Sequence, residues 1–170
     1  RLRGRLVAVS VGDPTPARVV ELVALGKRLR SPSALKGAAL STLPPELALA
    51  PLRGYVPGPF SGEWASGARG LLGAALAVGA GAWPIQDALR VKIVLAGTWA
   101  AEDATRLSSA WSDLAESSVG RLLGLNQPVS PPVIAFTPGL LTLTVTLVAL
   151  PLASGLHAAV AADVWEILAD

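Results

Sequence analysis

His157 is the only histidine in the 170 residues and so the first candidate for a general base or a metal ligand. A nucleophilic triad around it needs a serine and a carboxylate nearby in space, and the many serines leave that match nearly unconstrained. His157 follows Leu156 on an expected C-terminal helix, at the flank of its apolar stripe, which reads as a boundary position. With no cysteine there is no disulfide, no thiolate site and no cysteine nucleophile. One histidine with scattered carboxylates does not make a metal set, and the adjacent Glu102 and Asp103 diverge on a helix. Gly67-Ala68-Arg69-Gly70 lacks the lysine of a phosphate loop, and Gly79-Ala80-Gly81 follows a helix pattern instead of a strand. No cofactor, metal or catalytic residue is assigned, and a non-enzymatic role is expected.

The five tryptophans carry more. Trp99, Trp111 and Trp165 fall on helix patterns and read as core or boundary anchors. Trp64 and Trp83 flank a Gly/Ala-rich stretch; exposed together, they would mark an interface hot spot or the lip of an apolar groove.

Charge is the other signal. Only 15% of residues are charged, against about 25% in an average soluble protein. The net +2 hides an asymmetry: residues 1–36 hold eight of the fourteen basic side chains against Asp13 and Glu21, whereas residues 101–170 set Arg106 and Arg121 against seven carboxylates. Such a dipole suits an oppositely charged neighbour. The cluster Lys27, Arg28 and Arg30 is the candidate docking patch. It has no interleaved aromatics and ends a predicted helix, where cations are favourable anyway, so nucleic acid is not the expected partner. A protein partner or self-association is expected first, in a larger complex or the cell envelope; a lipid or other hydrophobic ligand is the alternative. The chain opens on Arg instead of Met and reads as processed, with periplasm or envelope favoured over cytoplasm.

The elements that must position these residues follow from two periodicities. Leu89, Val91, Ile93 and Leu95 alternate with Arg90 and Lys92, the pattern of a strand with one buried face. After Thr98 the period lengthens: Ala104, Leu107, Trp111, Leu114 and Val119 share a helical stripe, with Glu102, Asp103, Arg106, Asp113 and Glu116 opposite and Thr98 or Trp99 at the helix start. Gly62–Val78 predicts a helix weakened by glycines, Gly81–Gln86 a strand that turns at Asp87-Ala88 into the Leu89 strand. Val133–Phe136, a turn at Thr137-Pro138-Gly139 and Leu141–Leu147 form a second hairpin, in which threonine occupies every even position of the last strand. Pro151 opens a final helix with Leu152, Leu156, Val160, Val164, Ile167 and Leu168 buried. Upstream, Leu6–Val11 predicts a strand, a helix from Thr15 to about Leu29 follows, and the proline-interrupted residues 31–61 predict an ordered connection on the core with short helices near 33–40 and 45–49.

These patterns predict a single α+β domain over 1–170: an antiparallel sheet built from two ββα units with helices packed on one face, plus an N-terminal β-α element. Its sub-units would be 1–61, 62–125 and 126–170. The uncharged stretches 70–86 and 122–156 are too short, or too rich in threonine and proline, to predict a transmembrane span.

Overall fold

Two hairpins supply most of the sheet in the computed structural model, which describes residues 38–161; these belong to a unit spanning Gly37–Asp170. The expected N-terminal strand and helix, with Lys27, Arg28 and Arg30, lie outside the described residues, as does the end of the last helix with Val164, Trp165, Ile167 and Leu168.

The first hairpin joins β2 (Ala75–Ile85) to β3 (Ala88–Gly97) through the two-residue turn Gln86-Asp87, with Ile85 opposite Ala88. Gln86 takes φ 50° there, the positive value that hairpin turns of this length demand. The second joins β4 (Pro128–Thr137) to β5 (Leu140–Val148) through Pro138-Gly139. With β1 (Leu52–Pro57) they form a five-stranded antiparallel sheet in the order β1-β2-β3-β5-β4. The chain is therefore of the α+β class. The hairpins also share a register: the pair Val133–Thr144 follows Gly81–Lys92 by 52 positions in both strands.

Where β3 meets β5, Leu89, Val91, Ile93 and Leu95 stand opposite Leu147, Val145, Leu143 and Leu141. Successive side chains of a strand alternate in direction, so these eight share one face. Here they meet the long helix α5 (Ala101–Glu116), whose Leu107, Trp111 and Ala115 are buried in the same cluster. Each fully buried leucine contributes about 1.5–3 kcal/mol of transfer energy, which places the main core between α5 and the centre of the sheet.

The second face is covered too, at its β2–β3 end, which departs from the expectation of helices on one face. The short helices α1 (Ala38–Ser41) and α2 (Leu43–Glu46) bring Leu40, Leu43 and Leu47 against Ala77, Val94 and Ala96. Backbone glycine makes the room: a Cβ at Gly79 would stand 2.9 Å from Leu47 Cδ1, and one at Gly81 3.0 Å from Leu47 Cδ2. Across the rest of that face the threonines of β5 stand half-exposed beside Arg90 and Lys92.

The predicted helix over 62–78 is replaced by two single turns, α3 (Glu63–Ser66) and α4 (Leu71–Ala74), and by β2 starting six residues earlier than expected. Small residues explain the difference. Ala75, Ala77 and Gly79 are buried and alternate with the exposed Leu76, the half-buried Val78 and the exposed Ala80, so the small residues face inward, the larger apolar ones outward, and hydropathy hides the period of two. α5 likewise begins at Ala101, after Ala100 in extended conformation, and not at Thr98 or Trp99. Ala100 has no side-chain acceptor, so only half of a capping box exists: the Ala100 N–H donates to Asp103 Oδ2 at 2.9 Å. That reach explains why Asp103, expected on the solvent face, is buried; Leu114, expected inside, is 45% exposed. The turn helix α6 (Ser118–Leu122) and α7 (Ala149–Ala161) complete the described chain. In α7, Leu152 packs on the core cluster, but Leu156, expected inside, is exposed. Among the described residues no helix is long and apolar enough to cross a membrane.

Candidate functional site

An apolar hollow lies where α5 crosses the first hairpin. Ile93, Leu95, Leu143 and Val78 supply the floor from the sheet; Leu107, Ala110, Trp111 and Leu114 supply one wall from α5; Ala68 and Leu72 close the side. The hollow measures about 180 Å³, a little more than an engineered cavity of about 150 Å³ that stays dry and takes up benzene. Beside it runs an open groove of about 450 Å³, bordered by Val56, Pro57, Pro59, Phe60, Ser61 and Trp64. Leu72 and Val78 line both spaces.

The segment that carries Leu72 is held by charge. Ala68 and Arg69 adopt φ 51° and 58°, followed by Gly70 at 81°; for the two non-glycine residues this left-handed backbone costs about 1–2 kcal/mol each. α5 fixes the turn through two arginines. Arg69 donates Nε to Asp113 Oδ2 at 2.7 Å and Nη2 to Oδ1 at 3.0 Å, a bidentate pair. Arg106 donates Nη2 to the Arg69 carbonyl at 2.8 Å and Nη1 to Asp103 Oδ1 at 2.7 Å. Asp113 sits on α5 between Ala110 and Leu114, which line the hollow, although neither Asp113 nor Arg69 lines it. The hydrogen bond from Arg69 holds the Asp113 carboxyl below the usual carboxylate range, and the same bond raises Arg69.

A second cleft lies on the opposite face. It measures about 510 Å³ and is bounded by Glu46, Trp83, Pro84, Ile85, Arg90, Lys92 and Thr144. Lys92 Nζ is 2.6 Å from Glu46 Oε2, which ties α2 to β3 and pairs one of the two cations that border the cleft.

The two tryptophans singled out from the sequence are not brought together. Trp64 is 73% exposed at the edge of the apolar groove. Trp83 points to the other face, where a Cβ at Gly81 would stand 3.0 Å from its Cη2, so its ring lies along the strand above that glycine. His157 is exposed on α7, and the described residues contain no group of three or more metal-ligating side chains. Sequence reasoning passes over Arg69, Asp113 and Leu72. Arg69 and Asp113 stand 44 positions apart, and no local periodicity links them.

Comparison of the chain with protein-family models, curated sequences and solved structures returned no match.

Proposed function

We propose that this domain binds a hydrophobic small molecule, seating one apolar group of it in the hollow between α5 and the sheet. The observation that carries this reading is the hollow itself, bounded by ten residues without a charged or amide side chain among them and adjoining, at Leu72 and Val78, a groove bordered by an exposed tryptophan. Leaving such space empty is unfavourable. At about 24 cal/mol per Å³ of cavity the penalty reaches ~4 kcal/mol, an upper bound because part of the hollow is open to water. A ligand group would recover much of it. Binding sites for small molecules are typically apolar clefts of about 300–1,000 Å³, a size the hollow reaches only with its groove.

The test is thermal unfolding of the detergent-free protein with benzene as probe, together with native mass spectrometry for co-purifying molecules. Binding to the folded state alone stabilises by about 2.7 kcal/mol at a hundredfold excess over Kd. A melting temperature that rises with benzene and saturates supports the reading; one that stays flat or falls removes it.

A second reading, an interaction module within a larger complex or the cell envelope, draws on β4, where Val129, Val133 and Phe136 are exposed on a strand that ends the described sheet. Such strands offer unpaired backbone groups to a partner. Replacing Lys27, Arg28 and Arg30 by glutamate should then weaken association, more so at low salt. A variant that retains the same association at every ionic strength would discard the dipole as a docking device.

A further inference from the structure

We propose that the cleft at Trp83 and Arg90, on the face of the sheet away from α5, is a separate site for a small planar aromatic molecule carrying one anionic group. It is independent of the hollow and is tested apart from it. Cross-strand register assembles the site. Trp83 of β2 stands opposite Arg90 of β3, and Gly81 opposite Lys92, which in turn stands opposite Thr144 of β5. Residues directly opposite in an antiparallel pair project to the same face with Cβ atoms about 4.5–5.5 Å apart. An indole, a guanidinium, an ammonium and a hydroxyl therefore share one surface, and all four border the same cleft of about 510 Å³.

The two cations of the cleft are not equivalent. Lys92 is half-buried and held by Glu46. Arg90 is exposed, and none of the ion pairs among the described residues uses it. The cleft thus keeps a surplus of one positive charge, on the side chain whose planar fork matches a carboxylate by two parallel hydrogen bonds. Glu46 sets the limit on the ligand. A second anionic group reaching toward Lys92 would meet the Glu46 carboxylate as well, and like charges at close range repel, so the site favours one negative charge over two.

Trp83 supplies the flat surface beside that charge. A Cβ at Gly81, two residues earlier on the same face, would stand 3.0 Å from Trp83 Cη2; without it the ring lies along the strand. Trp83 is half-buried, and Pro84 and Ile85 border the same space. An aromatic ring can stack, offset, on the indole while its anionic group reaches Arg90. The cleft is open to water, which suits such a ligand: its charge stays partly hydrated and avoids the cost of full desolvation. A wholly apolar molecule would gain less here, because so little of its surface would be covered.

The experiment titrates cinnamate, its neutral counterpart cinnamamide and the dianion of carboxycinnamic acid, with calorimetry for affinity and the indole N–H resonances of isotope-labelled protein for location. Trp83→Leu, whose spectrum lacks the Trp83 signal, identifies that signal. Cinnamate should shift the Trp83 resonance saturably and bind roughly tenfold more tightly than cinnamamide, and the dianion should bind more weakly than cinnamate. Arg90→Gln, at an exposed position where the fold should be unaffected, should erase the preference for cinnamate over cinnamamide, and Trp83→Leu should weaken both by roughly fivefold. Ala110→Leu, which fills the hollow, should leave cinnamate binding unchanged. A Trp83 signal that does not move, equal affinity for cinnamate and cinnamamide, or a preference that survives in Arg90→Gln overturns the proposal. Cinnamate binding that is lost in Ala110→Leu overturns it too, and assigns the ligand to the hollow. If benzene fails to raise the melting temperature but cinnamate behaves as expected, the reading of the hollow is lost and the cleft at Trp83 and Arg90 stands.

Discussion

The Arg69 guanidinium holds the Asp113 carboxylate by two hydrogen bonds, of 2.7 and 3.0 Å, across 44 positions of sequence. No other ion pair among the described residues joins the turn after α3 to α5. The pair is exposed, so its value lies in fixing a turn that is otherwise strained, more than in global stability. Asp113 is held below its ordinary range by Arg69, so the contribution is fully present above the unfolded carboxylate value and is lost as pH falls through the lower, folded one. Protection of the Gly70, Leu71 and Leu72 amides, taken relative to the intrinsic exchange rate at each pH, should fall in acid and in high salt, and in Asp113→Asn at any pH. Exchange that is identical in the variant and the wild type would show that the backbone holds the turn by itself.

The crossing of α6 and α7 should tolerate no side chain at Gly155. A Cβ there would collide with the Leu122 carbonyl oxygen and stand 2.9 Å from Leu123 Cα, atoms that move only if a helix moves. Gly155→Ala should therefore cost about 1–3 kcal/mol, or more if the helices separate. A Cβ at Gly139, on the second hairpin turn, would meet nothing within 4 Å, and Gly139→Ala should stay within about 0.5 kcal/mol of wild type. Urea melts of the two variants make the comparison.

Coverage of the second face should show in α2. Leu43 and Leu47 are fully buried against the glycines of β2, so Leu47→Ala should destabilise by about 2–5 kcal/mol. A loss below about 0.5 kcal/mol in chemical denaturation would mean that this segment is not part of the cooperative core.

Much of this is legible in the sequence, and the reasons are local. The strand at Leu89–Leu95, the threonine-alternating strand at Leu141–Leu147 and the stripe of Leu107 and Trp111 each place strongly apolar residues at a clear period, and each element forms. The prolines between 38 and 61 point to an interrupted connection and hide β1 within it, because Pro57 and Gly54 break the usual strand composition. The start of β2 reads as helix for a related reason. Its buried positions Ala77 and Gly79 are small because Leu43 and Leu47 occupy the space above, and that cause lies about thirty positions upstream.

The candidate site is less legible. Trp64 stands out in the sequence and borders the groove, but pairing it with Trp83 assumes one face, and the two lie on opposite sides of the sheet. The hollow depends on where α5 crosses the hairpin, a tertiary distance that no window of sequence contains. Gly67-Ala68-Arg69-Gly70 draws notice only as a failed phosphate loop; its role as a latched turn needs Asp113, and nothing in either segment points to the other.

Ala110 offers the cleanest separation of ligand binding from stability. It faces the hollow from α5, and enlarging it to leucine puts three more carbons into space that the wild type leaves open. If the hollow is only a packing defect, Ala110→Leu stabilises the domain by about 0.5–2 kcal/mol, as cavity filling commonly does, and benzene affects neither protein. If the hollow is a binding site, the variant gains the same stability but loses the benzene-induced rise that the wild type shows, since the added carbons occupy the ligand's place. Thermal melts of the two proteins with and without benzene give four values, and the coupling between substitution and ligand, not either effect alone, decides the outcome. A benzene-induced rise of equal size in both proteins would place the bound ligand elsewhere and remove the hollow from the account.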